Sequence, residues 1–136
     1  MAEGDDSRTV RDIFRKAATT TYHSHLLETE DFLVLLASGD AATDIVAAIS
    51  PGNVRLWISG IYWDEYDWGP GDTDELEQLE ETISAVQRGD GIFYFRTRDN
   101  ELEYTGGRIG SKSSDIPFRP ELAVRRTFSP WSKRTE

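Results

Sequence analysis

The stretch from Val54 to Tyr104 constrains the fold most, because it gathers the residue types that a pleated, half-buried surface prefers. It holds three of the four tryptophans and opens on the apolar run Val54-Arg55-Leu56-Trp57-Ile58-Ser59-Gly60-Ile61-Tyr62-Trp63. Alternation there sets Val54, Leu56 and Ile58 against Arg55, Trp57 and Ser59, the period of a strand. A tryptophan on the second face implies that this face is also partly covered. The acidic aromatic segment from Asp64 to Gly71 reads as a loop, since Gly69-Pro70-Gly71 breaks regular structure. Asp72 and Glu75 then have the spacing of a capping box, and Leu76, Leu79, Ile83 and Val86 form one helical stripe that Gly89 ends. Ile92 to Thr97 and Glu101 to Thr105 read as a hairpin turning at Asp99-Asn100. Glu101 and Glu103 face Arg96 and Arg98 across it, in pairs worth ~0.2–1 kcal/mol each.

Upstream, Val10, Ile13, Phe14 and Ala17 recur at helical spacing behind Ser7 as a cap, which predicts a helix over residues 8–18 after a frayed start. A second helix is expected from Glu28 to Ser38, with Phe32, Leu33, Leu35 and Leu36 apolar on most sides and Gly39 as its terminator. A third runs from Asp40 to Ile49 and stops at Pro51-Gly52-Asn53. The expected class is therefore α+β: N-terminal helices followed by β-α-β-β, a small, mostly antiparallel sheet, and an extended C-terminal arm.

Charge divides the chain in two. Residues 1–106 carry 22 acids against 8 bases, while residues 107–136 carry 3 acids against 7 bases. We read an acidic domain over 1–106 and a basic arm over 107–136, the latter introduced by a Gly/Ser-rich linker at Gly110-Ser111-Lys112-Ser113-Ser114. An acidic body repels phosphates and anionic membranes, so no direct nucleic-acid or membrane partner is expected. The chain of 136 residues is long enough to form its own core, and it has no cysteine for disulfides or thiolate metal sites. No segment approaches the ~20 apolar residues of a membrane span, and the acidic start Ala2-Glu3-Gly4-Asp5-Asp6 is unlike a secretory signal. Cytoplasm or virion is the expected setting.

Catalytic and ligand motifs are weak throughout. Gly106 to Ser113 resembles a phosphate loop only loosely, because Ser111 stands where the second glycine belongs and Pro117 leaves little room for a following helix. His23 and His25 lack the further ligands of a zinc set. The acids Asp64, Glu65, Asp67, Asp72, Asp74 and Glu75 lack the ordered spacing of a calcium loop. No Gly-x-Ser-x-Gly elbow supports a serine nucleophile, and no pair of carboxylates stands out as an acid/base couple. No cofactor, metal or enzymatic activity is expected.

Two groups of residues remain as partner-binding candidates. Tyr62, Trp63, Tyr66 and Trp68 are of the types that anchor interfaces, and they run into a Gly/Pro loop. In the arm, Phe118, Leu122, Val124, Phe128 and Trp131 alternate with Arg125 and Arg126, a pattern suited to strand addition on a neighbour's sheet. The sequence thus points to a structural or adaptor subunit of a larger assembly, such as a virion head–tail or tail component. Its partners would be other proteins, copies of itself among them. The alternative is an acidic inhibitor of the anti-defence or antitoxin type, whose carboxylates imitate nucleic-acid phosphates on a basic partner.

Overall fold

The strand expected from Val54 is one of nine among the residues described by the computed structural model: 2–19, 22–37, 43–69, 74–117, 119 and 123–133. Side chains are described from Val10 onward. Helix α1 spans Ala2–Ala18, and five strands follow: β1 (Ser24–Glu28), β2 (Phe32–Ala37), β3 (Ile45–Ser50), β4 (Asn53–Ile58) and β5 (Ile61–Asp67). They pair in chain order as an antiparallel meander. Helix α2 (Asp74–Gln87) leads to a second antiparallel sheet, ordered β8-β7-β6-β9, built from β6 (Gly91–Arg98), β7 (Glu101–Ile109), β8 (Lys112–Ser114) and β9 (Val124–Thr127).

The fold is mostly β, which overturns the expected α+β class with several N-terminal helices. Where helices were read over 28–38 and 40–49, the chain forms β2 and β3. The apolar run Phe32 to Leu36 satisfies both periods on paper. In the folded chain Leu33 and Leu35 are buried while Phe32, Val34 and Leu36 point to the other face. Ile45, Val46 and Ile49 tip the next segment the same way, since β-branched side chains fit a pleated surface better than a helix turn. Pro51-Gly52 is a hairpin turn rather than a helix stop, with Gly52 at φ 70°. The acidic aromatic segment is strand as far as Asp67, within β5, because Ser59-Gly60, at φ 52° and 78°, turns β4 into β5. The linker expected at residues 110–114 is the hairpin joining β7 to β8, and the boundary expected at residue 106 falls inside β7.

Three further expectations hold. Residues 8–18 are helical, although α1 begins earlier, at Ala2, which places Ser7 inside it rather than at its start. Leu79, Ile83 and Val86 of α2 are buried, whereas its expected capping box at Asp72 lies outside the described residues. The β6–β7 hairpin turns at Asp99-Asn100, both left-handed at φ 52° and 65°.

The meander's inner face supplies Leu33, Leu35, Ile45, Ala47, Val54, Leu56 and Ile58 to the core, and α1 lays Val10, Phe14 and Ala17 over it. Ion pairs fix α1 in place. Arg15 donates to both carboxylate oxygens of Glu28 at 3.0 Å, and Arg11 reaches the carbonyls of Thr29 and Glu30 at 2.9 and 2.7 Å. Helix α2 closes the core with Leu79, Ile83, Ala85 and Val86, and Gln87 donates to the carbonyl of Ala17 at 3.0 Å.

The end of the chain is woven into this core. Phe128 and Trp131 are only 7% and 1% exposed. The Phe128 amide bonds the Gly91 carbonyl at 2.9 Å, and the Trp131 amide bonds the Gln87 carbonyl at 2.8 Å. The indole of Trp131 donates to Thr43 Oγ1 at 2.7 Å. The His23 amide then bonds the Ser132 carbonyl at 2.7 Å, beside a bridge between Tyr22 and Lys133. Residues 128–133 thus clasp the α1–β1 connection, the approach to β3, the end of α2 and the second sheet. Glycine makes room for them: a Cβ on Gly91 would lie 2.4 Å from the Phe128 ring, and one on Gly89 would lie 2.5 Å from the Pro130 nitrogen.

Candidate protein-binding surfaces

The predicted partner-binding residues separate into three groups. Trp63, Tyr66 and Trp68 are buried in their own chain, as are Phe128 and Trp131. Tyr62, Val124, Arg125 and Arg126 are exposed, while Phe118 and Leu122 lie outside the described residues.

The buried aromatics are structural. A register shift in the β4–β5 pairing beside Trp57 accompanies an inward turn of Trp63, whose ring centroid lies 6.1 Å from Phe93. Phe93 stacks edge-on against Tyr104 and Phe128 at 5.2 and 4.9 Å, joining the two sheets through one aromatic cluster. Tyr66 shares a 2.8 Å hydrogen bond with Thr82 of α2, and burial pushes its phenol pKa up. Lys112 sits 4.9 Å from the Tyr66 ring centroid and pairs with Asp64, and partial burial lowers its pKa. Lys112 is therefore a strut between the sheets.

Tyr62 opens onto a surface that sequence reasoning found only at this one residue. On the meander's outer face, Cα partners run Leu27–Val34, Val34–Val46, Val46–Trp57 and Trp57–Tyr62. This is an apolar ladder across all five strands. Phe32 and Ala48 lie in the next row. Leu27, Phe32 and Tyr62 are 47%, 48% and 46% exposed, and Val34, Val46 and Trp57 are half-buried. Trp57 and Tyr62 meet edge to face at 5.6 Å. A polar border follows at the β4–β5 end, where Asn53 donates to Glu65 at 2.7 Å and to Asp67 at 2.6 Å, and Arg55 pairs with Glu65 at 4.0 Å. An apolar centre with a polar rim is the anatomy of a protein interface. The missed signal was the turn at Ser59-Gly60, which makes Ile61-Tyr62-Trp63 a partner of Trp57 rather than its continuation.

The exposed ridge of α2 is acidic. Glu77 and Glu81 lie between two open depressions of about 320 and 560 Å³. Lys16 answers Glu80 at 3.5 Å and Arg88 answers Glu81 at 2.8 Å, so this ridge is partly neutralised. Among the described residues, no group of three or more His, Asp or Glu side chains is placed to hold a metal ion. No helix among them is long and apolar enough to cross a membrane. Compared with protein-family models, curated proteins and solved structures, the chain matches none of them.

Proposed function

We propose that this protein is a non-enzymatic adaptor subunit that docks a neighbouring protein on the outer face of its five-stranded sheet. The observation that carries this reading is the ladder from Leu27 through Val34, Val46 and Trp57 to Tyr62. Contiguous exposed apolar surface costs solubility, and where it persists it marks interaction sites. Five strands ~4.8 Å apart and about six residues long give a face roughly 20 Å on each side. That is below the ~800 Å² per partner of a standard interface. The size therefore suits one docked element, an amphipathic helix ~10–12 Å across, better than a large dimer face. The arm as the principal docking device is less well supported, because Phe128 and Trp131, two of its three aromatics, are used inside the chain. Work in the cytoplasm or in a virion is in line with a chain without cysteine.

The test is capture of partners from the native source by the wild type and by Trp57→Lys/Tyr62→Lys, with far-UV dichroism confirming that the variant is folded. The reading expects a stoichiometric partner on the wild type that the variant loses. An identical partner set on both would refute it.

A second reading, the acidic inhibitor that imitates nucleic acid, draws on Asp74, Glu77, Glu80 and Glu81 along the α2 ridge. Its partner would be captured through α2 rather than the sheet, so Glu77→Lys/Glu80→Lys would abolish capture and the sheet variant would not. Such capture would weaken steeply with salt.

A further inference from the structure

Strand β9 lies at the outer edge of the second sheet, and all four of its residues are exposed. Among the described residues it pairs with β6 alone, through Ile92–Thr127, Phe93–Arg126, Tyr94–Arg125 and Phe95–Val124. An edge strand directs unpaired backbone donors and acceptors outward, which makes it a template for a further strand. Its side chains are unusual for this molecule. Every described lysine and arginine from Arg11 to Lys112 is ion-paired with an acid. Among the described residues, Arg125 and Arg126 have no such partner, nor do Arg119 and Lys133 of the same arm.

We propose that β9 is a recognition edge for an extended acidic segment of a partner protein, which adds to the second sheet as its next strand. Successive strand residues point to opposite faces, so Arg125 and Arg126 flank the edge on both sides of the sheet. Two consecutive carboxylates on the incoming strand would meet one arginine each, while main-chain hydrogen bonds supply the length of the contact. The edge is held ready for this, because Phe128 and Trp131 anchor the chain directly after it and little ordering remains for binding to supply. A second copy of β9 does not fit the role. Antiparallel pairing about its two-fold axis sets Arg125 opposite Arg126, or one of them opposite itself, and like charges directly opposite are destabilising. The remaining role for the two arginines is that of guards that keep the edge from pairing with anything. This proposal does not rest on the outer face of the meander.

The experiment uses the full chain and a blocked peptide, Thr-Val-Glu-Glu-Val-Thr, at low ionic strength. Binding is followed by fluorescence anisotropy, and amide exchange locates it. The proposal expects saturable binding, slowed exchange of amides in residues 124–127, and affinity lost roughly tenfold or more in Arg125→Glu/Arg126→Glu. A peptide N-methylated at alternate residues must fail, since it cannot form the ladder, and Trp57→Lys/Tyr62→Lys must bind as the wild type does. No binding at low salt would overturn the proposal and leave the arginines as guards. Equal binding by the charge-reversed variant, or by the N-methylated peptide, would overturn it as well.

Discussion

Residues 124–127 and 128–133 are neighbours in one basic, aromatic arm, yet they have opposite fates. The first four are wholly exposed on a sheet edge, whereas the next segment carries Trp131, among the most buried side chains in the molecule. The difference lies in what each can satisfy internally. Phe128 finds an aromatic cluster and a glycine that leaves it space, and Trp131 finds an indole acceptor in Thr43 and a backbone acceptor in Gln87. Arg125 and Arg126 find no carboxylate among the described residues. Apolar content in a basic tail is thus no guide to whether that tail is free. What decides is whether the body offers pockets for the anchors.

The comparison is broken most severely by removing an anchor. Trp131→Ala should cost about 3–5 kcal/mol, as truncation of a large buried aromatic does. Chemical denaturation would show this, and a loss below about 1 kcal/mol would mean that the clasp is loose. Next in size is Gly91→Ala, whose methyl would press on the Phe128 ring. It should destabilise by about 1–3 kcal/mol. Combined with Phe128→Leu the two losses should fall short of additivity, because the smaller side chain relieves the clash.

Much of the second half of the molecule was legible in the sequence, and much of the first half was not. Helix α2 and the β6–β7 hairpin carry mutually consistent signals: one apolar stripe, an unambiguous turn at Asp99-Asn100, and alternating Glu101, Leu102, Glu103 and Tyr104. By contrast, Phe32 to Leu36 is apolar on every side, and only a neighbouring strand can choose its period. The candidate site suffered from the same ambiguity. Tyr62 is a candidate by residue type and by its place before a Gly/Pro loop, but Leu27, Val34 and Val46 belong to strands whose sequence reads as helix or carries no period of its own. A surface made by register across five strands is invisible until the strands are paired.

A smaller effect comes from the ion pairs that hold α1. Hydrogen bonding by Arg15, with Arg11 assisting, keeps the Glu28 carboxyl below its ordinary pKa. Its folded pKa lies under the unfolded value of about 4.3, so the stabilisation is present above that pH and is lost as pH falls through the folded pKa. Melting curves of wild type and Glu28→Gln should therefore differ at pH 7 and converge in acid. A constant gap across the range would assign the difference to packing instead.

The smallest change is expected where the arm faces solvent. Arg125→Glu/Arg126→Glu should alter stability by no more than about 0.5 kcal/mol, as exposed substitutions generally do. A large loss would place these arginines in a contact that the fold needs.

Amide exchange of Trp131 in the intact protein tests the clasp without perturbing it. Its N–H is bonded to the Gln87 carbonyl at 2.8 Å beneath a buried indole. It should exchange only with global unfolding, as slowly as the central amides of β3 and β4. Exchange at the rate of an unprotected loop would show that residues 128–133 leave the body readily, and that the whole arm is available to a neighbour.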